Sequence, residues 1–299
     1  MSNIEWTEQT WNPTTGCDRI SPGCDRCYAL TMAKRLKGMG QAKYQTDGDP
    51  RTSGPGFGLA THAETLTEPL RWKKPRKVFV NSMSDLFHAR VPREFLARVF
   101  AVMAATPQHT YQILTKRPER AARILRDLCT CGSGHPPGEH LRSEMEWAAT
   151  SHSPTYVPGL EHGIYHRSGW PLPNVWLGTS IESNDYVRRA TALRDAPAAV
   201  RFISAEPLLG PLGELDLCGI DWLIIGGESG VGARSFAPVW ALDLIVEARA
   251  AGAAPFVKQL GSVWARENGA SDGKGGKPED WPEALRVREY PKRAGAVAA

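Results

Sequence analysis

The sequence of 299 residues lacks any apolar run that approaches the roughly 18 residues needed to cross a membrane. Its first thirteen residues lack the basic segment and following apolar segment of a secretory signal. Neither sign of charge dominates, because 36 lysines and arginines accompany 32 aspartates and glutamates, which gives a net charge of +4. We therefore expect a cytoplasmic protein with no membrane partner, whose charge permits an anionic partner without requiring one.

Cysteine is scarce, and the six cysteines do not show the spacing of a disulfide framework. They form a cluster of Cys17, Cys24 and Cys27, a pair of Cys129 and Cys131, and a lone Cys218. Disulfides are disfavoured in the cytoplasm, where clustered cysteines more often bind metal or carry out redox chemistry. We therefore expect the cluster and the pair to carry chemistry, and Cys218 to be a core thiol.

A Gly-x-Gly-x-x-Gly motif after the first predicted strand is also missing, which argues against a dinucleotide-binding fold. Short β-branched apolar runs instead predict strands at Val78–Asn81, Tyr111–Leu114, Val175–Leu177, Arg201–Ile203, Trp222–Ile225 and Pro255–Val257. Amphipathic segments predict helices at Tyr28–Leu36, Arg93–Ala105, Pro118–Leu128, Asn184–Asp195 and Pro238–Ala251. This alternation predicts an α/β fold with a parallel sheet, in the form of a partial or complete (β/α) barrel.

Three segments interrupt the alternation. Gly38–Arg76 is predicted to be a long loop, Cys129–Pro173 is an insertion rich in histidine, proline and glycine, and the segment from Arg266 onward is rich in glycine and lysine. We expect one (β/α) barrel domain over residues 1–290, interrupted by the insertion 129–173 and followed by a flexible tail at 291–299.

Polar residues follow the predicted strands at the end where a parallel (β/α) barrel carries its active site. Such residues can simply belong to loops or cap the next helix. Several carboxylates and cations recur there, however, so we expect them to converge on one cavity. The residues concerned are Ser82, Ser84, Asp85, Lys116, Ser180, Glu182, Glu206, Glu228 and Lys258.

The cluster of three cysteines has the spacing of a metal site. Cys24 and Cys27 lie three positions apart at the predicted start of a helix, so both thiols can face one side. Six residues separate Cys17 from Cys24, enough for the loop to fold back. Three thiolates suit a [4Fe–4S] cluster whose fourth iron takes a non-protein ligand. A zinc ion with a distant fourth ligand, or a set of inert thiols, are the alternatives.

With these cysteines and several other segments, the sequence resembles a phage- and prophage-associated three-cysteine family. That family is described as radical S-adenosylmethionine-like with unknown substrate. The resemblance covers roughly Trp6 to Tyr290 and lies in the segments WNPTTGCDRISPGCDRCYA, PLRWKKPRKVFVNSMSDLFH, QILTKRPER, NVWLGTSIES, ISAEPLLG and IIGGESG. It implies a partial (β/α) barrel of the radical S-adenosylmethionine type, with [4Fe–4S] held by Cys17, Cys24 and Cys27. S-adenosylmethionine would bind the open iron, and an electron donor would drive its cleavage to a 5′-deoxyadenosyl radical that abstracts hydrogen from a substrate.

The sequence departs from the usual radical-enzyme signature at two places. Six residues rather than three separate the first two cysteines, and NSMSD stands where Gly-Gly-Glu commonly follows the second strand. By position, Ser82, Ser84 and Asp85 are candidates for the ammonium group of S-adenosylmethionine, and Ser180 and Glu182 for its ribose hydroxyls. The remaining strand-end residues are catalytic candidates, namely Lys116, Glu206, Glu228 and Lys258.

Two further features point to ligands. Cys129, Cys131, His135 and His140 are candidates for a second metal site that holds zinc, although a solvated histidine-rich loop is the alternative. A basic run surrounds Trp72 and consists of Arg71, Lys73, Lys74, Arg76 and Lys77. It is either a solvated approach to the next strand or a surface that contacts phosphates and bases. Together with the phage-type setting that the resemblance implies, it makes a nucleic acid, a nucleotide or its base the expected substrate. A zinc-stabilised, non-catalytic protein that binds nucleic acid or a protein partner is the alternative function.

Overall fold

The computed structural model describes residues 4–292, so residues 293–299 of the predicted tail lie outside the described part. The described residues form two compact units. The first unit comprises residues 4–19, 29–177 and 195–199, and the second comprises residues 20–28, 178–194 and 200–292. No helix within residues 4–292 is both long enough and apolar enough to span a membrane. The single domain expected over residues 1–290 stays a prediction.

The strands are short, and most of their residues are buried. They are β1 (Gln9–Trp11), β2 (Thr14–Thr15), β3 (Ala60–Thr61), β4 (Lys77–Val80), β5 (Thr110–Thr115), β6 (Val175–Ser180), β7 (Val200–Ala205), β8 (Trp222–Gly226) and β9 (Ala254–Gln259). The pair β2 and β3 is antiparallel. The other seven are parallel and follow the order β1-β4-β5-β6-β7-β8-β9, where β6 begins in the first unit and ends in the second.

Helices connect most of the parallel strands. They are α1 (Tyr28–Gly38), α2 (Arg93–Ala105), α3 (Pro118–Arg126), α4 (Glu139–Ala148), α5 (Ile164–Arg167), α6 (Arg188–Asp195), α7 (Pro238–Ala250) and α8 (Ser262–Glu267). Parallel strands in sequential order with helical crossovers confirm the predicted mixed α/β fold and are consistent with a partial (β/α) barrel. The helix predicted at Asn184–Asp195 is divided into a short 3₁₀ helix, Asn184–Tyr186, and α6.

In the first unit, α2 shows why the apolar spacing located the helices correctly. Phe95, Leu96, Val99 and Phe100 recur at helical spacing, and each is at most 5% exposed. Burial of each such side chain contributes about 1.5–3 kcal/mol relative to leaving it in water. The insertion also forms helices, because α4 packs against α2 and buries Leu141 together with its neighbours.

In the second unit, aromatic side chains build the core around β7, β8 and β9. Trp222 is fully buried, with its ring centroid 5.6 Å from that of Phe202 and 5.7 Å from that of Phe256. The segment after Arg266 was expected to interrupt the fold, and it is indeed irregular. It nevertheless packs on this core, because the Tyr290 ring stacks on Trp222 with centroids 5.3 Å apart and the Trp222 indole nitrogen donates to the Glu289 carbonyl at 2.9 Å.

Candidate functional site

The residue before Cys17 occupies a backbone position that only glycine can adopt. Gly16 has a φ of +83°, and a Cβ built there would lie 2.1 Å from the carbonyl oxygen of Gly58. The Gly16 amide donates to the Met83 carbonyl at 3.0 Å, and Gly16 forms a parallel bridge with Ser84. These contacts fix Cys17 next to the loop that follows β4.

Arg117, which follows β5, contacts Cys17 directly. Its Nη1 lies 3.4 Å from the Cys17 Sγ and 2.9 Å from Oδ2 of Asp85, while its Nη2 donates to the Asp18 carbonyl at 3.1 Å. Burial alone would lower the pKa of Arg117, but the nearby Asp85 and Cys17 outweigh it and raise this pKa. Arg117 is therefore a fixed positive charge that favours the thiolate form of Cys17, the form that binds metal.

Asp85 is buried, and its two carboxylate oxygens accept four hydrogen bonds. Oδ1 accepts from Thr115 Oγ1 at 2.7 Å and from the Phe87 amide at 3.0 Å. Oδ2 accepts from the Lys116 amide at 3.1 Å and from Arg117. A carboxylate offers about four acceptor positions. Asp85, predicted to bind the ammonium of S-adenosylmethionine, is thus already engaged, and the geometry favours a role in orienting Arg117.

The two serines predicted with Asp85 join the segment after β4 to β2 and to the residues just before β2. Ser82 Oγ donates to the Asn12 side-chain oxygen at 3.2 Å. Ser84 Oγ lies 2.6 Å from Thr14 Oγ1 and donates to the Thr14 carbonyl at 3.0 Å. Both serines are half-buried, so their hydroxyls lie near the cysteine segment and keep partial access to solvent.

A charged cluster around Asp18 was missed by the sequence reasoning. Asp18 Oδ2 lies 2.9 Å from His88 Nε2 and 3.2 Å from Arg90 Nη2, and Oδ1 accepts from Thr52 at 2.8 Å. Burial and then the charge of Arg117 lower the pKa of His88, so its imidazole is neutral at neutral pH. His88 lies three residues after Asp85 and follows the same strand, β4, which is the one feature of the sequence that could have indicated it.

In the second unit, the other two cysteines lie immediately before α1, as predicted. The 3₁₀ helix Pro22–Cys24 leads into a turn in which the Cys27 amide donates to the Cys24 carbonyl at 3.2 Å. Ser21 Oγ lies 3.7 Å from the Cys24 Sγ. Both thiols are partly exposed, so they can take part in ligand binding.

Glu182, which follows β6, contacts this turn through the Gly23 amide. Its side chain is fully buried, and Oε2 lies 2.9 Å from Nη1 of Arg189, which also donates to the Ser180 carbonyl at 2.9 Å. Oε1 accepts from the Gly23 amide at 3.4 Å. The predicted ribose ligands Ser180 and Glu182 are therefore brought together by Arg189, and Glu182 reaches the residue next to Cys24.

Glu228, which follows β8, supports the same turn through arginines. Both of its oxygens contact Arg234, and Arg26 Nη1 lies 3.4 Å from Oε2. Arg234 also donates to the Pro22 carbonyl at 3.0 Å. Burial would raise the pKa of Glu228, but hydrogen bonds from Arg234 outweigh it and hold this pKa below its usual range. Glu228 is thus a permanent carboxylate in a structural ion pair.

Two other catalytic candidates form an ion pair with each other. Lys258 Nζ, from β9, lies 2.6 Å from Oε1 of Glu206, which follows β7. Gln259 Nε2 also donates to this oxygen at 3.3 Å. Both charged side chains are less than one-fifth exposed. Lys116, the remaining candidate, belongs to the first unit and contributes its backbone amide to Asp85.

The candidates for a second metal are brought together within the first unit. One ligand atom from each of Cys129, Cys131, His135 and His140 lies within 4.8 Å of every other. Hydrogen bonding to Cys131 and then to His135 lowers the pKa of Cys129 to about 5. The structure thus assembles a Cys/His group of the kind that binds metal.

The basic run around Trp72 exposes three of its five cations, but not the full face of its tryptophan. Arg71, Lys73 and Lys74 are exposed. Trp72, however, is half-buried, and its ring centroid lies 5.6 Å from that of His109. The indole therefore packs against protein, and its stacking on a nucleic-acid base stays a prediction.

A protein-family model described as "Protein of unknown function (DUF5131)" matches residues 1–296. No curated protein and no solved structure gives a significant match. The predicted resemblance is thus confirmed for an uncharacterised family that spans nearly the whole chain. The association with phages and the radical chemistry stay predictions.

Proposed function

We propose, from the premise that the chain belongs to the DUF5131 family, that it is an iron–sulfur enzyme of the radical S-adenosylmethionine type. The observations that support the proposal are the contacts made to the cysteine segment within each unit. In the first unit Arg117 contacts Cys17, and in the second unit Glu182 contacts the residue before Cys24.

The number, exposure and polar neighbours of the three N-terminal thiols suit an iron–sulfur cluster. None of the six cysteines, all within the described residues, forms a disulfide, and Cys17, Cys24 and Cys27 are each partly exposed. Hydrogen bonds to cluster sulfurs help to set the reduction potential, and Arg117 and Ser21 stand where they could provide them. Cys17, Cys24 and Cys27 would therefore hold a [4Fe–4S] cluster.

When bound with S-adenosylmethionine and supplied with an electron by a donor protein, such a cluster provides a 5′-deoxyadenosyl radical that removes hydrogen from a substrate. The chain's own residues position the reactants. Arg117 contacts the Cys17 sulfur and is oriented by Asp85. Ser82, Ser84 and Ser180 are the candidates for polar contacts with S-adenosylmethionine, and the Glu206–Lys258 pair for contacts with the substrate.

The substrate class that we propose is a nucleic acid, a nucleotide or its base. This rests on the net charge of +4 and on the exposed Arg71, Lys73 and Lys74. Phosphates would bind such a surface through charge. Substitution of the three residues by glutamine should therefore weaken binding of single-stranded oligonucleotides and lower its salt dependence, while an unchanged affinity would contradict this class.

The decisive experiment is anaerobic reconstitution with iron and sulfide. We expect brown protein with about four iron and four sulfide per chain, and S-adenosylmethionine cleaved to 5′-deoxyadenosine after reduction. Cys218 was predicted to be a core thiol, but it is exposed. The triple variant Cys17→Ala/Cys24→Ala/Cys27→Ala should lose both properties, whereas the control Cys218→Ala should lose neither. Iron retained in the triple variant, or colourless wild-type protein, contradicts the proposal.

The alternative of a non-catalytic zinc protein makes a different prediction in the same preparation. Three cysteines that hold zinc with a distant fourth ligand would give colourless protein, and the triple variant would contain one zinc less than the wild type. The zinc content of both proteins therefore separates the two functions.

A further inference from the structure

The segment after α3 and the first turn of α4 bring four ligand-type side chains together in the first unit. The Cys129 and Cys131 sulfurs are 3.3 Å apart, and His135 Nδ1 lies 3.5 Å from the first and 3.3 Å from the second. His140 Nε2 lies 3.7 Å from the Cys131 sulfur and 3.2 Å from His135 Nδ1. The ligand atoms thus occupy the corners of a small tetrahedron.

The edges of this tetrahedron match those around one zinc ion. Zinc–sulfur bonds of about 2.3 Å and zinc–nitrogen bonds of about 2.0–2.1 Å place two sulfurs about 3.8 Å apart, sulfur and nitrogen about 3.5 Å apart, and two nitrogens about 3.3 Å apart. The sulfur–nitrogen separations of 3.5, 3.3 and 3.7 Å and the nitrogen–nitrogen separation of 3.2 Å agree within a few tenths of an ångström. The Cys129 and His140 ligand atoms lie within 4.8 Å of each other, and the two sulfurs would move apart by about 0.5 Å.

Other uses of these residues fit less well. A disulfide needs the sulfurs at about 2.05 Å, well short of their 3.3 Å separation. A [2Fe–2S] cluster with two cysteines and two histidines binds the histidines on a different iron from the cysteines. His135 instead lies equally close to both sulfurs, which requires a single ion. Tetrahedral S₂N₂ donors favour zinc among the common metals.

A buried carboxylate lies behind the ligands. Asp127 is 6% exposed, and its Oδ2 lies 3.8 Å from His140 Nδ1, the ring nitrogen that faces away from the other three ligands. The same carboxylate accepts from the Leu141 amide at 2.7 Å and from Arg93 at 2.6 Å. Metal-binding histidines usually donate their second N–H to a carboxylate or carbonyl. At 3.8 Å this contact is longer than a hydrogen bond, so Asp127 would form one to His140 after a small movement of the ring, while it already holds α2 and α4 through Arg93 and Leu141.

From these observations we propose that Cys129, Cys131, His135 and His140 bind one structural zinc ion. The site is separate from the three N-terminal cysteines and does not depend on the proposed radical chemistry. Residues 132–137 are exposed, so the loop buries little apolar surface to hold its conformation. Zinc would supply that stability and fix the connection from α3 to α4. All four ligands come from the chain, which is typical of a structural site.

The test measures zinc in protein that carries the Cys17→Ala/Cys24→Ala/Cys27→Ala background, so that failure of the proposed function does not affect it. We expect one zinc per chain, and one cobalt(II) per chain with the visible bands of a tetrahedral S₂N₂ site. The double variant Cys131→Ser/His140→Gln should bind neither metal. The control His152→Gln, an exposed histidine of the same insertion, should bind both as before.

A second measurement on unsubstituted protein guards against variants that fail to fold. Removal of zinc by a chelator should make residues 129–138 sensitive to proteolysis and make two more thiols reactive to alkylation, while the far-ultraviolet circular dichroism stays nearly unchanged. The proposal is overturned if purified protein binds no zinc, if the double variant retains it, or if chelation changes neither proteolysis nor thiol reactivity.

Discussion

The buried ion pair between Glu182 and Arg189 gives a stability prediction whose size follows from its burial. Glu182 is 0% exposed and Arg189 is 4% exposed, so water cannot solvate either charge if its partner is removed. Removal of one partner of a buried pair costs about 3–5 kcal/mol. Arg189→Met also removes the cation–π contact with Tyr186, where the guanidinium carbon lies 4.2 Å from the ring centroid.

We therefore expect Arg189→Met to lower the free energy of unfolding by about 3–5 kcal/mol, or the melting temperature by roughly 5–8 °C for a chain of this length. Glu182→Gln should cost less, about 1.5–3 kcal/mol, because the remaining Arg189 keeps its bond to the Ser180 carbonyl. The double variant Glu182→Gln/Arg189→Met should cost less than the sum of the two, since neither charge is then left unpaired.

Equilibrium urea unfolding of the three variants and the unsubstituted protein measures this cycle directly. Arg188→Met is a suitable control, because this arginine of the same helix is exposed and its removal should cost at most about 1 kcal/mol. A loss below 1 kcal/mol for Arg189→Met, or purely additive costs in the double variant, would refute the reasoning from burial.

Two other predictions concern the first unit. Gly16→Ala should leave little folded protein at 37 °C, because the new Cβ would lie 2.1 Å from the Gly58 carbonyl oxygen. The control Gly38→Ala should be neutral or slightly stabilising, because no atom lies within 4 Å of the added Cβ. Equal melting temperatures of the two variants would contradict this prediction. Burial lowers the pKa of His88, so the folded state prefers the neutral ring, and stability should fall as the pH drops below about 6.5, the pKa in the unfolded chain. His88→Gln should make melting temperature less dependent on pH between 5 and 7, while His152→Gln, an exposed control, should not; equal slopes would show that His88 does not contribute.

The sequence located the elements whose apolar residues are regularly spaced and missed those that depend on distant partners. Phe95–Met103 shows helical spacing within α2 alone, so its position was predictable. By contrast, β1 has three residues and is defined by its pairing with β4, some seventy positions away. The helix α4 has only three buried positions among charged residues, so its apolar face became visible only through its contact with α2.

For the candidate site, the residue types could be predicted but not their partners. The rule that polar strand ends carry function selected Asp85, Glu182 and Glu228. It could not show that arginines engage each of them, because Arg117 and Arg189 look like ordinary surface residues in the sequence. His88 and Asp18 are likewise seventy positions apart, and no local pattern links them. Long-range ion pairs of this kind have no periodic signature.

These ion pairs also bear on the chemistry that the chain can perform. A general base needs a pKa near the working pH and access to the proton that it removes. The strand-end carboxylates are instead paired with cations within their own units, and Arg234 holds the pKa of Glu228 low. They are therefore suited to fixing neighbouring groups rather than to moving protons. In the proposed radical chemistry the cofactor would supply the reactive group, and the protein's part would be binding and positioning of this kind. The pairs concerned are Asp85–Arg117, Glu182–Arg189, Glu206–Lys258 and Glu228–Arg234.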